Sequence, residues 1–248
     1  MLSDEALVRY SRQILVPGLD IEGQARLAAS QVVIVGCGGL GCPLALYLAA
    51  AGVGRLRLVD HDHIELSNLP RQVAFTEADV GLQKAEVLAA RARAMNTDIH
   101  VESVSAKAEP DNAGALFEGA SLVIDATDSH AARCVIEDAT RAHAIPWIMG
   151  AAIQMSGQWM AFGPQRAEGC YHCLAPQAAE AEAGGCARLG VMGPVVGAVA
   201  MMQANTALML LAGESVAWGR LSIYDFRRSE QQNLALKPRV GCAACSAS

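Results

Sequence analysis

Short β-branched apolar runs alternate along this chain with longer stretches whose apolar residues recur at helical spacing, and glycine or a polar cluster marks most of the changes. Leu2 to Arg12 has the amphipathic spacing of a helix, with Ser3 as its cap and Asp4 and Glu5 in the first turn, where carboxylates suit the positive end of the dipole. Val32 to Val35 predicts a strand ending at Gly36, Leu40 to Ala51 a helix stopped by Gly52, and Arg55 to Val59 a strand ending at Asp60. Further on, Lys84 to Met95 and His130 to His143 read as helices, and Ile99 to Val104 and Leu122 to Asp125 as strands. Such alternation requires a mostly parallel sheet covered by helices on both faces.

The second half changes character. Closely spaced strands at Trp147 to Ala152 and Gln158 to Phe162, around Ser156 and Gly157, predict an antiparallel extension of the sheet. A Cys-, Pro- and Ala-rich loop to about Gly190, an apolar helix, a strand at Leu221 to Tyr224 and a cysteine-bearing tail follow. The segment Gly193 to Leu211 is as long and as free of charge as a bilayer-spanning helix, but Pro194, Gly197, Gln203 and Asn205 fit a buried core helix better.

Composition narrows the class. The 248 residues are 52% hydrophobic, 18% charged and 4% aromatic, which excludes a disordered chain and supplies one sizeable core. With 19 Lys+Arg against 25 Asp+Glu, the net charge of −6 disfavours a nucleic-acid partner. Eight cysteines are too few for a secreted disulfide framework, and no charged segment followed by an apolar one opens the chain. A reducing, cytoplasmic setting with no membrane partner is the expectation.

Candidate chemistry begins directly after the first strand. Gly36-Cys37-Gly38-Gly39-Leu40-Gly41 satisfies G-x-G-x-x-G between strand and helix, where glycines allow a tight turn and the helix N-terminus offers N–H groups to phosphate. Asp60, ending the next strand, is placed to accept hydrogen bonds from ribose hydroxyls. A hydride-transfer enzyme has no need of Arg71 or Lys84 in the following segment, whereas cleavage between the α- and β-phosphates of ATP needs fixed cations. The Asp125-Ala126-Thr127-Asp128 turn ends a later strand at the same edge, and Asp128 suits Mg²⁺ held through one carboxylate.

Cys170-x-x-Cys173 and Cys242-x-x-Cys245 are two pairs separated by a long insertion. Either alone could be a redox motif; together, in loops without thioredoxin-like context, they favour a structural Cys₄ zinc site clipping the tail to the loop after Phe162. His172 is left out because four sulfurs complete the shell. Cys186 stands in a glycine-flanked loop near Arg188, whose guanidinium can lower a thiol pKa; a nucleophile and a merely accessible thiol are both open. Cys37, Cys42 and Cys134 read as packing thiols, and His61 and His63 as loop residues.

Taken together, Arg9-Tyr10-Ser11-Arg12-Gln13-Ile14, the glycine loop, the segment Asp60 to Gln72, Lys84, Asp125 to Asp128 and the two cysteine pairs resemble the MoeB/ThiF/HesA family of adenylyltransferases, relatives of ubiquitin-activating enzymes, over essentially the whole chain. The resemblance implies a single Rossmann-like α/β domain over 1–248, with an N-terminal helical arm to 30, a nucleotide-binding half to 150 and a carrier-binding and zinc half beyond. It implies adenylylation, by Mg²⁺ and ATP, of the C-terminal glycine of a ubiquitin-fold sulfur carrier ending in Gly-Gly. Gly36, Gly38, Gly39 and Gly41 would line the phosphates and Asp60 bind ribose. Asn68, Arg71 and Lys84 would grip the triphosphate, Asp128 carry Mg²⁺, and Asp62, Ser67, Gln72 and Ser129 complete the nucleotide site. Arg12 would reach across a homodimer, and Cys186 corresponds to a cysteine that links covalently to the carrier in some members. With no sulfurtransferase domain expected after Cys245, a separate protein, or Cys186, would deliver sulfur. Adenylation of a tRNA-bound carboxylate, as in threonylcarbamoyladenosine dehydratases, and a non-catalytic carrier scaffold are the alternatives.

Overall fold

The computed structural model describes residues 2–175 and 189–245. Among these, eight strands form one sheet in the order β3-β2-β1-β4-β5-β6-β7-β8. The strands are β1 (Gln31–Val35), β2 (Arg55–Val59), β3 (His100–Val104), β4 (Leu122–Asp125), β5 (Trp147–Ile153), β6 (Ser156–Phe162), β7 (Arg220–Asp225) and β8 (Glu230–Ala235). Pairings from β3 through β5 are parallel and those from β5 to β8 antiparallel. The mostly parallel α/β sheet with an antiparallel extension is therefore observed.

Alternation within the central strands divides the core. Val32 and Ile34 of β1 join Leu56, Leu58, Ile124 and Ile148 in one cluster, while Val33 and Val35 join Val59, Val123, Trp147 and Met149 in a second on the opposite face. The first cluster is roofed by α3 (Gly41–Ala50), α4 (Lys84–Met95) and α8 (Gly193–Leu211), the second by α5 (Ala113–Leu116) and α6 (His130–Ala142). α8 is long and apolar enough to cross a membrane, but it packs on α3, β5 and β6 with Val195, Val199, Gln203 and Ala207 buried. The Gln203 amide donates to the Asp125 carbonyl at 2.7 Å, which gives this polar residue a structural partner in the core.

Several boundaries differ from the expectation. The first helix, α1 (Asp4–Arg9), ends before Arg12 because Tyr10 turns inward and its hydroxyl accepts from Asn96 Nδ2 at 2.9 Å. A second helix, α2 (Asp20–Ala29), was not foreseen as a separate element; its buried side includes Gly23 and Gln24, which break the apolar stripe, and Gln24 donates to the Ala51 carbonyl at 3.0 Å. β8 was missed because all six of its residues are exposed, four of them polar, as befits a sheet edge. The β5–β6 hairpin turns at Gln154 and Met155 rather than at Ser156 and Gly157, which belong to β6. Gln154 takes φ 53°, held there by backbone bonds to Gly190 and Met192.

Beneath the second cluster lies a buried ionic network. Glu137 of α6 accepts from Arg166 Nε at 2.7 Å, Trp147 Nε1 at 3.2 Å and the Tyr171 amide at 3.0 Å, while Arg166 donates to Thr140 Oγ1 at 2.7 Å. Both charges are buried, so each depends on the other. Arg166→Met strands the Glu137 charge and is expected to lower unfolding free energy by about 3–5 kcal/mol. Urea denaturation measures this, and a loss under about 1 kcal/mol would mean that the pair does not hold α6 to the sheet.

Candidate nucleotide and metal sites

The glycine loop leaves β1 at the carboxyl edge of the sheet and enters α3. Gly36 adopts φ +98°, and a Cβ there would lie 2.6 Å from the Ala126 carbonyl oxygen. At Gly41 a Cβ would lie 1.9 Å from the Gly36 carbonyl oxygen, so the loop closes onto its own helix only with glycine. No side chain caps α3, whose Cys42 amide is taken by the Gly38 carbonyl at 2.9 Å and whose Pro43 has no N–H, so the amides of the glycine loop before it are the ones placed to meet an anion.

Asp60 clamps this loop. Its Oδ2 accepts from the Cys37 amide at 2.6 Å and its Oδ1 from the Asp62 amide at 2.8 Å, and the residue is 8% exposed. The ribose role expected of it is thus joined by a structural one that motif reasoning did not show. Asp62 accepts from Lys84 Nζ, at the start of α4, at 2.9 Å. Burial opposes ionisation of Asp62, but the Lys84 hydrogen bond and charge, with His61 and His63, outweigh it and hold the carboxyl below its ordinary value.

The segment between them supplies the remaining positions. Asn68 is buried and caps the 3₁₀ turn Leu66–Asn68, its Oδ1 accepting from the Glu65 amide at 3.3 Å and its Nδ2 donating to Ser67 Oγ at 3.4 Å. Ser67 in turn donates to Glu65 at 3.1 Å. Arg71 is half-buried and donates to the Ser67 carbonyl at 3.0 Å. Gln72 is 3% exposed, and its Oε1 has no partner among the described residues; its Nε2 lies 3.5 Å from where a Cβ on Gly38 would be. A buried orphan acceptor beside the glycine loop fits a ligand that brings a donor, as a nucleoside does.

Across the edge, Asp128 is exposed in the turn after β4, and Ser129 caps α6 by accepting from the Ala132 amide at 3.1 Å. That turn is built on Asp125, fully buried, which accepts from the Thr127 amide at 2.9 Å and from Arg133 Nε at 2.9 Å. Arg133 also donates to the Thr127 carbonyl at 2.8 Å. Burial opposes the charge on Arg133, but Asp125 raises its pKa. Arg133 escaped the sequence reading because nothing in the motif marks a cation eight residues past the strand end. Arg12 is exposed in the turn after α1, and no hydrogen bond or ion pair among the described residues ties it to the glycine loop.

The two cysteine pairs converge. Sγ–Sγ separations are 3.7 Å for Cys170–Cys173, 3.8 Å for Cys170–Cys242, 3.4 Å for Cys173–Cys245 and 3.1 Å for Cys170–Cys245. Tetrahedral zinc with Zn–S near 2.3 Å spaces its sulfurs roughly 3.8 Å apart, so the cluster fits a metal. The Arg239 amide donates to Cys173 Sγ at 3.3 Å, the kind of outer bond that orients a thiolate ligand. His172 is engaged by Asp138 at 2.9 Å, in keeping with its omission from the ligand set. Cys186 and Arg188 lie outside the described residues.

The other thiols divide. Cys37 and Cys42 are buried, and desolvation first, with the Asp60 charge, raises both, Cys42 to about 12; these are packing thiols. Cys134 does more than pack, since its Sγ lies 3.4 Å from His130 Nε2.

This arrangement has known relatives. The sequence matches the ThiF family over residues 10–244. The chain belongs to the ThiF family. It is 40% identical over 247 residues to the Escherichia coli sulfur carrier protein ThiS adenylyltransferase, covering 100% of this chain and 98% of that protein. It is 39% identical over 245 residues to the E. coli molybdopterin-synthase adenylyltransferase, covering 98% of each. Against the Anopheles gambiae adenylyltransferase and sulfurtransferase MOCS3 the identity is 40% over 248 residues, where the match takes in 99% of this chain and only 56% of that longer relative. Among solved structures, E. coli MccB with ATP superposes with a TM-score of 0.84 at 22% identity, over 96% of this chain and 74% of that one, and so shares the fold.

Within this ThiF-family site the Asp62–Lys84 pair is testable directly. A carboxyl held below its unfolded value contributes stability at neutral pH and loses it as pH falls through the folded pKa. NMR titration should place Asp62 below about 3.9 in the parent and move it up toward that value in Lys84→Met. An unchanged midpoint would show that Lys84 does not act on it.

Proposed function

We propose that the chain is an ATP-dependent adenylyltransferase that activates the C-terminal glycine carboxylate of a small ubiquitin-fold sulfur carrier, giving acyl-AMP and pyrophosphate. The observation that carries this reading is the gathering of the glycine loop, Asp60, Arg71, Lys84 and Asp128 around one edge of the sheet, in a chain whose family match runs nearly end to end. A hydride-transfer site would leave Arg71 and Lys84 without a task.

The chemistry asks for position and charge. The carrier carboxylate is already ionised at neutral pH and attacks the α-phosphorus of ATP in line, so the chain needs no general base for this step. The glycine-loop amides and Arg71 hold phosphate oxygens, Lys84 turns part of its charge from Asp62 to the departing pyrophosphate, and Asp60 accepts from ribose while clamping the loop. Asp128 would hold Mg²⁺, which would supply the positive charge that offsets the phosphates. Cys170, Cys173, Cys242 and Cys245 would hold zinc, which would clip the tail to the domain away from the reacting atoms.

The active form is a homodimer in which Arg12 serves the partner's nucleotide site. Exposed Val8, Leu15, Val16 and Ile21 beside Arg12 support a covered N-terminal face. A separate sulfurtransferase delivers sulfur in the cytoplasm to the acyl-AMP, with Cys186 as the alternative relay.

ATP–pyrophosphate exchange with small Gly-Gly-ended proteins of the host tests the reading. Arg71→Ala and Asp128→Ala are each expected to abolish exchange while circular dichroism stays that of the parent. Parent-like exchange in either variant would contradict the mechanism.

A further inference from the structure

The two sites meet at Tyr171, the first residue of the short helix α7 (Tyr171–Leu174), and it immediately follows a sulfur of the cluster, Cys170. Its amide is fixed by Glu137 at 3.0 Å, so its place along α6 is set from the backbone. The phenol, in a residue only 4% exposed, meets His130 Nδ1 at 2.9 Å, with the rings 5.3 Å apart and tilted by 42°. His130 is thus held at both nitrogens, by the phenol and by Cys134 Sγ. The charge of Arg133 also acts on the phenol.

His130 begins α6, and Arg133 stands one turn into it. Arg133 grips Asp125 and the Thr127 carbonyl, and His130 lies two positions beyond Asp128. Cys242 of the cluster and His130 line one cavity of about 340 Å³, so the cysteine tail and the start of α6 face each other directly. Tyr171, Arg133 and Asp125 therefore form a path from the sulfur cluster to the turn that carries Asp128, with His130 alongside.

We propose that Tyr171 is a positioning residue for adenylation, through which closure of the four-sulfur cluster on its metal sets the Asp125–Asp128 turn. A closed cluster seats the Tyr171 hydroxyl on His130; an open one releases α7, and the turn loses a restraint. The consequence for Mg²⁺ and ATP rests on the adenylyltransferase reading above, whereas the coupling itself does not.

Tyr171→Phe removes the hydroxyl and keeps the ring that packs on Trp147 at a centroid separation of 6.0 Å. In the full-length, zinc-loaded chain this variant should keep one zinc per chain by elemental analysis. Hydrogen exchange followed by mass spectrometry should show faster exchange of the amides in 125–134. Chelating the metal from the parent should accelerate the same amides, and should do so less in Tyr171→Phe, since both perturbations act on one link. In pyrophosphate exchange the variant should need roughly fivefold more Mg²⁺ for half-maximal rate, the loss of one hydrogen bond, with little change at saturation. Parent-like amide exchange in the variant, an equal effect of chelation in both proteins, or loss of zinc from Tyr171→Phe would each overturn the coupling. If the parent itself shows no pyrophosphate exchange with any carrier, the adenylyltransferase reading fails, and the amide-exchange comparison still decides whether Tyr171 links the two sites.

Discussion

A carboxylate that ends a parallel strand and folds back onto backbone amides is the interaction on which this site depends. The central strands β1 and β4 are buried on both faces, so polar groups collect where the parallel strands end. Asp60 at the end of β2 and Asp125 at the end of β4 each spend their oxygens on the chain that leaves the sheet, Asp60 on Cys37 and Asp62, Asp125 on Thr127 and Arg133. These bonds convert two flexible exits into fixed loops facing one another, with Gly36 pressed against Ala126 between them. Preorganised amides and cations are what phosphoryl-type transfer requires, since the protein contributes mainly placement and charge.

The parts of this arrangement that were legible in the sequence are those whose physics is local. Glycine at a crowded turn, β-branched runs buried on both faces, and thiols two residues apart each leave a compact signature, and β1, β2, β4, the glycine loop and the cysteine pairs appear where that signature stands. What escaped depends on partners far along the chain. Tyr10 ends α1 to reach Asn96, Gln24 breaks the stripe of α2 to serve Ala51, and β8 is polar because it is the edge of the sheet. Arg133 was invisible for the same reason, being defined by Asp125, eight positions away, and Gln203, legible as a mark of a core helix, finds its partner in the same residue seventy-eight positions back.

Helix α6 emerges as the organising element of the second half. Its first turn carries Ser129 and His130 beside the Asp128 turn, its middle presents Glu137 to Arg166, Trp147 and Tyr171, and its exposed Asp138 engages His172 of the cysteine loop. A single rigid helix thus touches the candidate nucleotide edge at one end and the candidate metal clip along its side. The burial of Glu137 and Arg166 makes this attachment costly to disturb.

The most direct test of the central claim compares a Gly-Gly-ended carrier with the same carrier amidated at its C-terminus, in ATP–pyrophosphate exchange by the purified chain. Exchange is expected with the free carboxylate and none with the amide, because the attacking group is that carboxylate. Exchange that is equal for the two carriers would contradict it.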